Sequence, residues 1–197
     1  MDAGMPDLPE WLHCGDAPYA GGTLMECGYR ALLKASPSEV WNSLIRIGGR
    51  NGWYFGNFLW RLRGEMDRIL GGVGLRRGRR HPKELFVGDA LDFWRVLEVD
   101  APSRLVLLAE MKMPGEATLA FHIHPVGEGT VEVQQLSRFL PRGLMGILYW
   151  YALYPAHQWV FGGMLRALAR SLGQPLLEGP DRFAPRLGHM CAYNPGD

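Results

Sequence analysis

Four short segments between positions 90 and 140 alternate apolar and polar side chains, and this alternation constrains the fold more than any other feature of the chain. The segments are Ala90–Val99, Arg104–Lys112, Glu116–His124 and Thr130–Leu140. Turn clusters with the sequences DAPS, MPG and VGEG separate them. Alternation with a period of two is typical of strands, and connections this short join antiparallel neighbours. The sequence therefore predicts an antiparallel meander.

The segment that follows the strands, Leu144 to Leu165, contains no Asp, Glu, Lys or Arg. A helix of about that length could span a bilayer. However, Pro155 and His157 lie in the middle of the segment, three glycines interrupt it, and the basic sequence RALARSL continues it. We therefore predict a helix from about Gly143 to Leu172 that is buried along one side against the sheet. A membrane span is less favoured, and peripheral membrane contact is a further alternative.

The N-terminal part of the chain predicts one strand and two helices. Leu24–Ala35 is typical of a strand. The sequence Ser36-Pro37-Ser38-Glu39 has the residues of a helix start, with Ser36 as the N-cap, and Gly48-Gly49 ends that helix. A second helix is predicted over Asn57–Leu70, where apolar residues recur at helical spacing. Together with the meander and the long C-terminal helix, this order predicts an α+β fold.

The length of 197 residues fits one domain with a substantial core and room for one ligand-sized cavity. We predict an irregular segment over residues 1–21, one domain over residues 22–173 and a Pro/Gly-rich tail over residues 174–197 that wraps the surface or frays. A basic run from Arg76 to Lys83 is predicted to be a solvated loop or to hold carboxylates. Binding of a phosphate- or carboxylate-bearing ligand is the less favoured interpretation of this run.

The composition argues against several classes of protein. A formal net charge of +1 gives no electrostatic reason to expect a nucleic-acid partner. The three cysteines are scattered and odd in number, which indicates free thiols in a reducing compartment. The N-terminus lacks the basic start and apolar run of a signal peptide, so the expected location is the cytoplasm. No strand–GxGxxG–helix motif is present, and no cofactor is predicted.

Several Trp- and Gly-rich motifs carry a family resemblance that runs from about Glu26 to Ser171. The motifs are GGRNGW (48–53), LWRLRG (59–64), GGVG (71–74), RGRR (77–80), GDALDFWRV (88–96), EMKMPG (110–115) and LYWY (148–151). In this order they resemble a bacterial family of unknown function in the START/SRPBCC (helix-grip, polyketide-cyclase-like) superfamily. The resemblance implies an antiparallel sheet wrapped around the final helix, with a cavity between them, and it carries over no catalytic residue.

With the shortest hairpin registers, the side chains of the four strands separate onto two faces. One face is apolar except for Asp92, Gln135 and Ser137, which fall near one end. The register of the first strand stays ambiguous, because apolar residues occupy both of its faces. The resemblance implies that the apolar face is a cavity wall, and the alternative is a solid core. The candidate ligand-binding residues are Trp94, Met111, Leu119, Phe121, Gln135, Ser137, Trp150 and Tyr154.

Three residues are candidates for catalysis if the protein is an enzyme of the cyclase, dehydratase or isomerase kind. Asp92 is the candidate base, and Arg95 or Arg61 is the candidate anion stabiliser. The alternative for Asp92 is a structural pair with an arginine between Arg61 and Arg80, because a carboxylate in an apolar strand is costly to bury without a partner.

Two histidines, His122 and His124, share a face of one strand, and Glu132 on the next strand is a possible third metal ligand. Solvent-facing histidines on a polar sheet face are much commoner, so no metal site is predicted.

The favoured function is binding of an apolar small molecule, such as a lipid, a polyketide or an isoprenoid, between the sheet and the long helix. The enzyme described above is the alternative. A third possibility is an accessory protein of an NAD(P)-binding reductase-like partner, because members of the resembling family are often fused behind an NAD(P)-binding epimerase-like domain.

Overall fold

The computed structural model describes residues 24–74 and 79–183, apart from the side chain of Arg50. The predicted irregular segment over residues 1–21, part of the basic run and the end of the predicted tail lie outside the described residues. The elements in chain order are β1 Met25–Leu33, α1 Pro37–Leu44, α2 Asn57–Ile69, β2 Ala90–Leu91, β3 Trp94–Asp100, β4 Arg104–Ala109, β5 Gly115–Gly127, β6 Thr130–Pro141, α3 Gly143–Ser171 and β7 Leu176–Phe183.

The seven strands form one antiparallel sheet in the order β2-β3-β4-β5-β6-β1-β7. The predicted meander makes up its centre, since β3 to β6 pair in sequence order. β1 returns to pair with β6, and α3 packs across β6, β1 and β7. We call the face that α3 covers the inner face. A sheet that wraps around a long C-terminal helix is the predicted α+β helix-grip fold.

The hairpin registers confirm the predicted division of side chains between two faces. Leu107 and Ser137 both lie opposite Leu119, and Phe121 lies opposite Gln135. The apolar side chains of the inner face join those of α1 and α3 in one buried core. Burial of such a face is the main driving force for the fold, at roughly 25 cal/mol for each Å² of apolar surface removed from water.

The segment predicted as one strand, Ala90–Val99, contains two strands. Asp92 and Phe93 form a two-residue hairpin loop, which places Leu91 opposite Trp94. Asp92 has a φ of +55°, a left-handed conformation that aspartate tolerates better than most residues. The loop removes the Asp92 side chain from the strand ladder and directs it toward the segment that follows α1.

The ambiguous faces of β3 are resolved by an irregular register between Val96 and Glu98. Trp94 and Val96 belong to the inner core, whereas Leu97 lies on the outer face. There it joins a small apolar cluster, which consists of Leu97, Val106, Ala120 and Leu136.

Part of the predicted tail forms an edge strand. β7 pairs antiparallel with β1, and Tyr29 lies opposite Arg182. The pairing has register shifts near Leu32, next to Gly179 and Pro180. Edge strands tolerate such breaks, because one side of the strand makes no ladder hydrogen bonds.

The predicted start of α1 is confirmed in detail. The Ser36 hydroxyl accepts a hydrogen bond from the Glu39 backbone N–H at 3.3 Å, and the Glu39 carboxylate accepts one from the Ser36 backbone N–H at 2.8 Å. Pro37 occupies the first helical position. This reciprocal cap stabilises the helix by about 1 kcal/mol.

The two halves of α3 have different environments. The second half is buried, and its buried residues are Val160, Phe161, Gly162, Gly163, Met164, Leu165, Ala167, Leu168 and Ala169. In the first half only Gly146 and Trp150 are buried. Within residues 24–74 and 79–183, no helix is long and apolar enough to cross a membrane.

Candidate functional site

The candidate ligand-binding residues meet between the inner face and α3, a region that we call the grip interior. Five of them, Trp94, Leu119, Phe121, Gln135 and Ser137, are buried side chains of the sheet. Trp150 is buried on the facing side of α3, and its ring stacks on Phe139 with centroids 5.7 Å apart. Met111 and Tyr154 are half-buried against the same core. Six of the eight residues therefore belong to one core, and Gln135 and Ser137 lie beside Phe121 and Leu119 on the inner face.

Within the part of the chain that the structure describes, three buried polar atoms of the grip interior have no hydrogen-bond partner. They are Nε1 of Trp94, Oε1 of Gln135 and Nδ1 of His157. The amide nitrogen of Gln135 has only a weak contact with Sδ of Met164 at 3.7 Å. An unpaired polar group in an apolar interior costs about 1–3 kcal/mol, and native proteins keep few of them. A bound molecule with matching polar groups would remove this cost.

His157 is a site residue that the sequence pattern did not single out. Its ring lies between two aromatic rings, with centroids 5.4 Å from Trp150 and 5.4 Å from Phe161. Burial lowers the pKa of His157 to about 4. The imidazole is therefore neutral near pH 7, with one donor and one acceptor nitrogen. The sequence signal that could have identified His157 is a lone histidine in a helical segment without charged residues.

Burial of the inner face decreases from one end of the grip interior to the other, and we call the less buried end the open end. Leu105 and Leu107 are buried, whereas Ala109 and Ala117, further along the same inner face, are half-buried. Apolar residues of the neighbouring elements surround this open end and are also half-buried. They are Trp60, Met111, Met113, Tyr149 and Leu153. The open end lies beside α2 and the first half of α3.

A cluster of four aromatic rings forms one side of this open end. Trp53, Trp60, Phe93 and Trp94 have neighbouring ring centroids 5.4–6.2 Å apart. Each of the motifs GGRNGW, LWRLRG and GDALDFWRV contributes at least one ring. Three segments that are distant in sequence are thus packed together by their tryptophans and phenylalanine.

Asp92 holds the loop that follows α1. Its Oδ2 accepts a hydrogen bond from Trp53 Nε1 at 2.9 Å, and the Gly49 N–H lies 3.2 and 3.1 Å from Oδ1 and Oδ2. Burial raises the pKa of Asp92, against the opposing effects of these hydrogen bonds and of the charge of Arg79. No arginine among the described residues donates to Asp92. Arg76 and Arg77 lie outside those residues, so the expected arginine pair stays a prediction. Arg79 donates instead to backbone carbonyls, including that of Ile47 at 3.0 Å.

The other two candidate catalytic residues lie away from Asp92. Arg95 pairs with Glu110 through two hydrogen bonds of 2.9 and 3.1 Å and also donates to the Gly88 carbonyl. It points away from the grip interior because its neighbour Trp94 points into it. Arg61 is exposed on α2. The structure therefore does not bring Asp92, Arg95 and Arg61 together.

The paired histidines lie on the outer face of the sheet. The rings of His122 and His124 stack with centroids 5.9 Å apart, and Glu132 is opposite His124. Burial, followed by the charge of Arg104, lowers the pKa of His122 to about 4. In the described part of the chain, no group of three or more His, Cys, Asp or Glu side chains could hold a metal ion.

An open polar cleft of about 630 Å³ lies elsewhere, between α1 and the C-terminal end of α3. Ser43 Oγ lies 2.7 Å from Ser171 Oγ and 2.9 Å from the Tyr54 hydroxyl, so these groups satisfy one another. None of the predicted site residues lines this cleft.

The sequence matches the family described as "Protein of unknown function (DUF2867)" over residues 20–164. The chain belongs to this family. The DUF2867 match confirms the resemblance to a family of unknown function that the tryptophan-rich motifs carry. The fold, an antiparallel sheet around a long C-terminal helix, is the helix-grip fold. No curated protein matches this DUF2867 chain.

Several solved structures are similar to this DUF2867 protein in fold. Norcoclaurine synthase from Thalictrum flavum has a TM-score of 0.49 and 10% identity, with coverage of 78% of this chain and 88% of that one. An HSP90 activator from Plasmodium falciparum has a TM-score of 0.44 and 14% identity, with coverage of 79% and 99%. A di-domain ARO/CYC protein of the BE-7585A biosynthetic pathway has a TM-score of 0.47 and 15% identity, with coverage of 76% and 46%. At these identities the likeness concerns the fold alone.

Proposed function

We propose that this protein binds a largely apolar small molecule, of the lipid, polyketide or isoprenoid kind, in the grip interior. The observation that carries the proposal is a set of three buried polar atoms, on Trp94, Gln135 and His157, that have no hydrogen-bond partner among the described residues. The walls around them are mostly apolar. Ligand sites commonly combine apolar walls with a few polar groups that fix orientation.

The three polar atoms define the chemistry of the expected ligand. Trp94 Nε1 is a donor only, so it requires a hydrogen-bond acceptor on the ligand, such as an oxygen. Gln135 Oε1 is an acceptor and requires a hydroxyl or an N–H, whereas Nδ1 of neutral His157 can match either kind of group. A molecule with hydroxyl and carbonyl groups on an apolar skeleton fits this set better than a plain hydrocarbon chain. A charged ligand fits poorly, because none of the three residues carries a charge near pH 7.

Native mass spectrometry of protein purified from its host tests whether such a molecule is retained, and quenching of tryptophan fluorescence gives its affinity. We expect Gln135→Met to weaken binding about 5–10-fold, because one ligand hydrogen bond contributes about 1 kcal/mol. Stability without ligand should be unchanged or higher, since the lost oxygen has no partner. Gln134→Met, on the outer face of the same strand, is the matched control and should bind like the wild type. Absence of any retained ligand, together with equal behaviour of both variants, would indicate a solid core.

A catalytic role of Asp92 in a cyclase, dehydratase or isomerase reaction is a second proposal. It is supported by the raised pKa of this buried carboxyl and by the absence of a described arginine that donates to it. The positions of Arg95 and Arg61 do not support their role as anion stabilisers. Asp92→Asn should abolish turnover of a bound ligand while it leaves the ligand affinity unchanged. Unaltered turnover in this variant would reject the proposal.

A further inference from the structure

An unusually apolar outer surface covers α2 and the first half of α3. Single exposed apolar residues are common, but a contiguous group of large ones marks an interaction site. On α2 the exposed large apolar residues are Phe58, Leu62, Met66 and Ile69, with Leu70 directly after the helix. On α3 they are Leu144, Met145, Ile147, Leu148, Tyr151 and Trp159. We call these residues the apolar face.

The orientation of α2 is the reverse of an ordinary surface helix. Phe58, Leu62, Met66 and Ile69 recur at intervals of three and four and therefore lie on one side. This side faces outward, since Phe58 is 74% and Ile69 is 82% exposed. The buried positions of the helix, Gly64 and Asp67, lie on the opposite side. The apolar stripe of α2 thus takes no part in the described core.

The first half of α3 repeats this arrangement. Leu144, Leu148, Tyr151 and Trp159 follow helical spacing along its outward side, and Leu144 is 69% exposed. Trp150 lies on the opposite side and faces the grip interior. This half carries no charged residue between Leu144 and Trp159.

The two stripes belong to one side of the molecule, because α2 and α3 are connected at both ends of α2. Just before α2, the Phe55 ring packs edge-on against Trp159 with centroids 4.6 Å apart. Near its other end, Asp67 accepts a hydrogen bond of 2.6 Å from the Lys112 N–H. The same loop meets the start of α3, since a Cβ on Gly146 would lie 2.4 Å from the Pro114 carbonyl oxygen.

The charges around the apolar face are mostly positive. Arg61, Lys112 and Arg142 are exposed on α2, on the loop before β5 and at the start of α3. The exposed carboxylate of α2, Glu65, pairs with Arg68 at 2.7 Å. Cationic side chains beside exposed aromatic and aliphatic residues are typical of surfaces that bind anionic membranes.

We propose that the apolar face docks on a membrane surface that contains anionic phospholipids. The apolar stripes would enter the boundary between headgroups and acyl chains, with Tyr151 and Trp159 at the interface, where such amphipathic rings are favoured. Arg61, Lys112 and Arg142 would contact lipid phosphates. The protein lies on the bilayer in this arrangement, in agreement with the lack of a spanning helix among the described residues. The proposal goes beyond ligand binding and holds whether or not the grip interior takes a ligand.

Sedimentation with vesicles of phosphatidylcholine, with and without phosphatidylserine, tests this proposal on the full chain. We expect binding to the vesicles that contain phosphatidylserine and a marked loss of binding at high salt, because the phosphate contacts are screened. Ile69→Glu and Leu144→Glu should each reduce the bound fraction at least fivefold. Val126→Glu is the matched control, since Val126 is also an exposed apolar residue but lies at the far end of β5. Circular dichroism checks that each variant is folded.

Three results would overturn the proposal. The first is a lack of binding to the anionic vesicles, and the second is equal binding by Ile69→Glu, Leu144→Glu and Val126→Glu. The third is self-association of the protein without vesicle binding, where Ile69→Glu and Leu144→Glu both abolish the self-association. The apolar face would then be a contact with a second copy of the chain. Retention of the interior ligand by both face variants, measured by native mass spectrometry, separates this test from that of the proposed ligand site.

Discussion

Replacement of Asp92 with asparagine exchanges a buried carboxylate, which has two acceptor oxygens, for an amide, which has one. The backbone of residue 92 can keep its conformation. Asparagine tolerates the positive φ of this position as well as aspartate does, so backbone strain contributes little to the effect. The wild-type carboxylate accepts hydrogen bonds from both Trp53 Nε1 and the Gly49 N–H. An asparagine side chain has one oxygen, and its amide nitrogen would then face one of these two donors.

The expected loss of stability follows from these contacts. A hydrogen bond to a charged acceptor contributes about 1.5–3 kcal/mol. The neutral amide avoids part of the cost of burying a charge, and this offsets some of the loss. We therefore expect Asp92→Asn to lower the free energy of unfolding by about 1–2 kcal/mol near pH 7, which corresponds to about 2–8 °C in Tm for a chain of this size.

Urea unfolding at several pH values measures both the loss and its origin. Burial raises the pKa of Asp92 in the folded state, so this carboxyl favours folding most below its unfolded pKa. That contribution is lost as the pH rises through the folded pKa. The difference in stability between the wild type and Asp92→Asn should therefore be largest in acid and should narrow toward neutral pH. Asp181→Asn, at an exposed position of β7, is the control and should change little.

Two results would refute this reasoning. Unchanged stability in Asp92→Asn would mean that the carboxylate does not hold the Gly49–Trp53 loop, and it would favour a catalytic role if turnover is lost. A difference in stability that widens with rising pH would mean that hydrogen bonds outweigh burial at this site.

Two further predictions concern close packing and protonation. Gly72→Ala should destabilise the protein by about 1–3 kcal/mol, measured by urea unfolding. The added Cβ would lie 2.3 Å from both carboxylate oxygens of buried Asp67. Gly127→Ala is the control and should be tolerated, because a Cβ at Gly127 meets nothing within 4 Å. In the folded protein the pKa values of His157 and His122 are lowered to about 4, compared with about 6.5 in the unfolded chain. Each neutral imidazole therefore contributes stability above the unfolded pKa, and this contribution is lost as the pH falls from about 6.5 to about 4. His157→Phe should therefore reduce the acid slope of stability in this window without abolishing it, and an unchanged slope would contradict the burial of the imidazole.

The features of the fold that the sequence predicts are those with local signals. The start of α1 depends on Ser36, Pro37 and Glu39 and lies where these residues place it. The meander depends on alternation and short turns, which fix the register without distant information. The hairpin at Asp92 leaves no such signal, because apolar residues occupy both faces of Ala90–Val99 and leave its register ambiguous. β7 was missed for a related reason: an edge strand is defined by the partner whose backbone it pairs with, and its own composition says little.

The residues of the candidate site likewise fall into those that local sequence signals predict and those that they do not. The residues of the inner face could be grouped in advance, because the face follows from the register of the strands. The partner of Asp92 could not be identified, since many arginines are near it in sequence and the actual donors, Trp53 and Gly49, are some forty residues away along the chain. His157 was overlooked because the side of a helix that faces the sheet is not fixed when apolar residues occupy most of its circumference.

The chain order around α3 restricts how a ligand could enter and leave. β6 ends at Pro141 directly before α3, and β7 begins at Leu176 shortly after it, so the helix is held at both ends by strands of one sheet. Lifting α3 as a lid would require β7 to detach from β1. By contrast, α2 fully buries only Gly64 and Asp67, and its Leu59 and Trp60 pack half-buried against the core. Opening of the grip interior should therefore depend on movement of α2, which would separate Trp60 from the rings of Trp53 and Phe93, with α3 as the fixed wall.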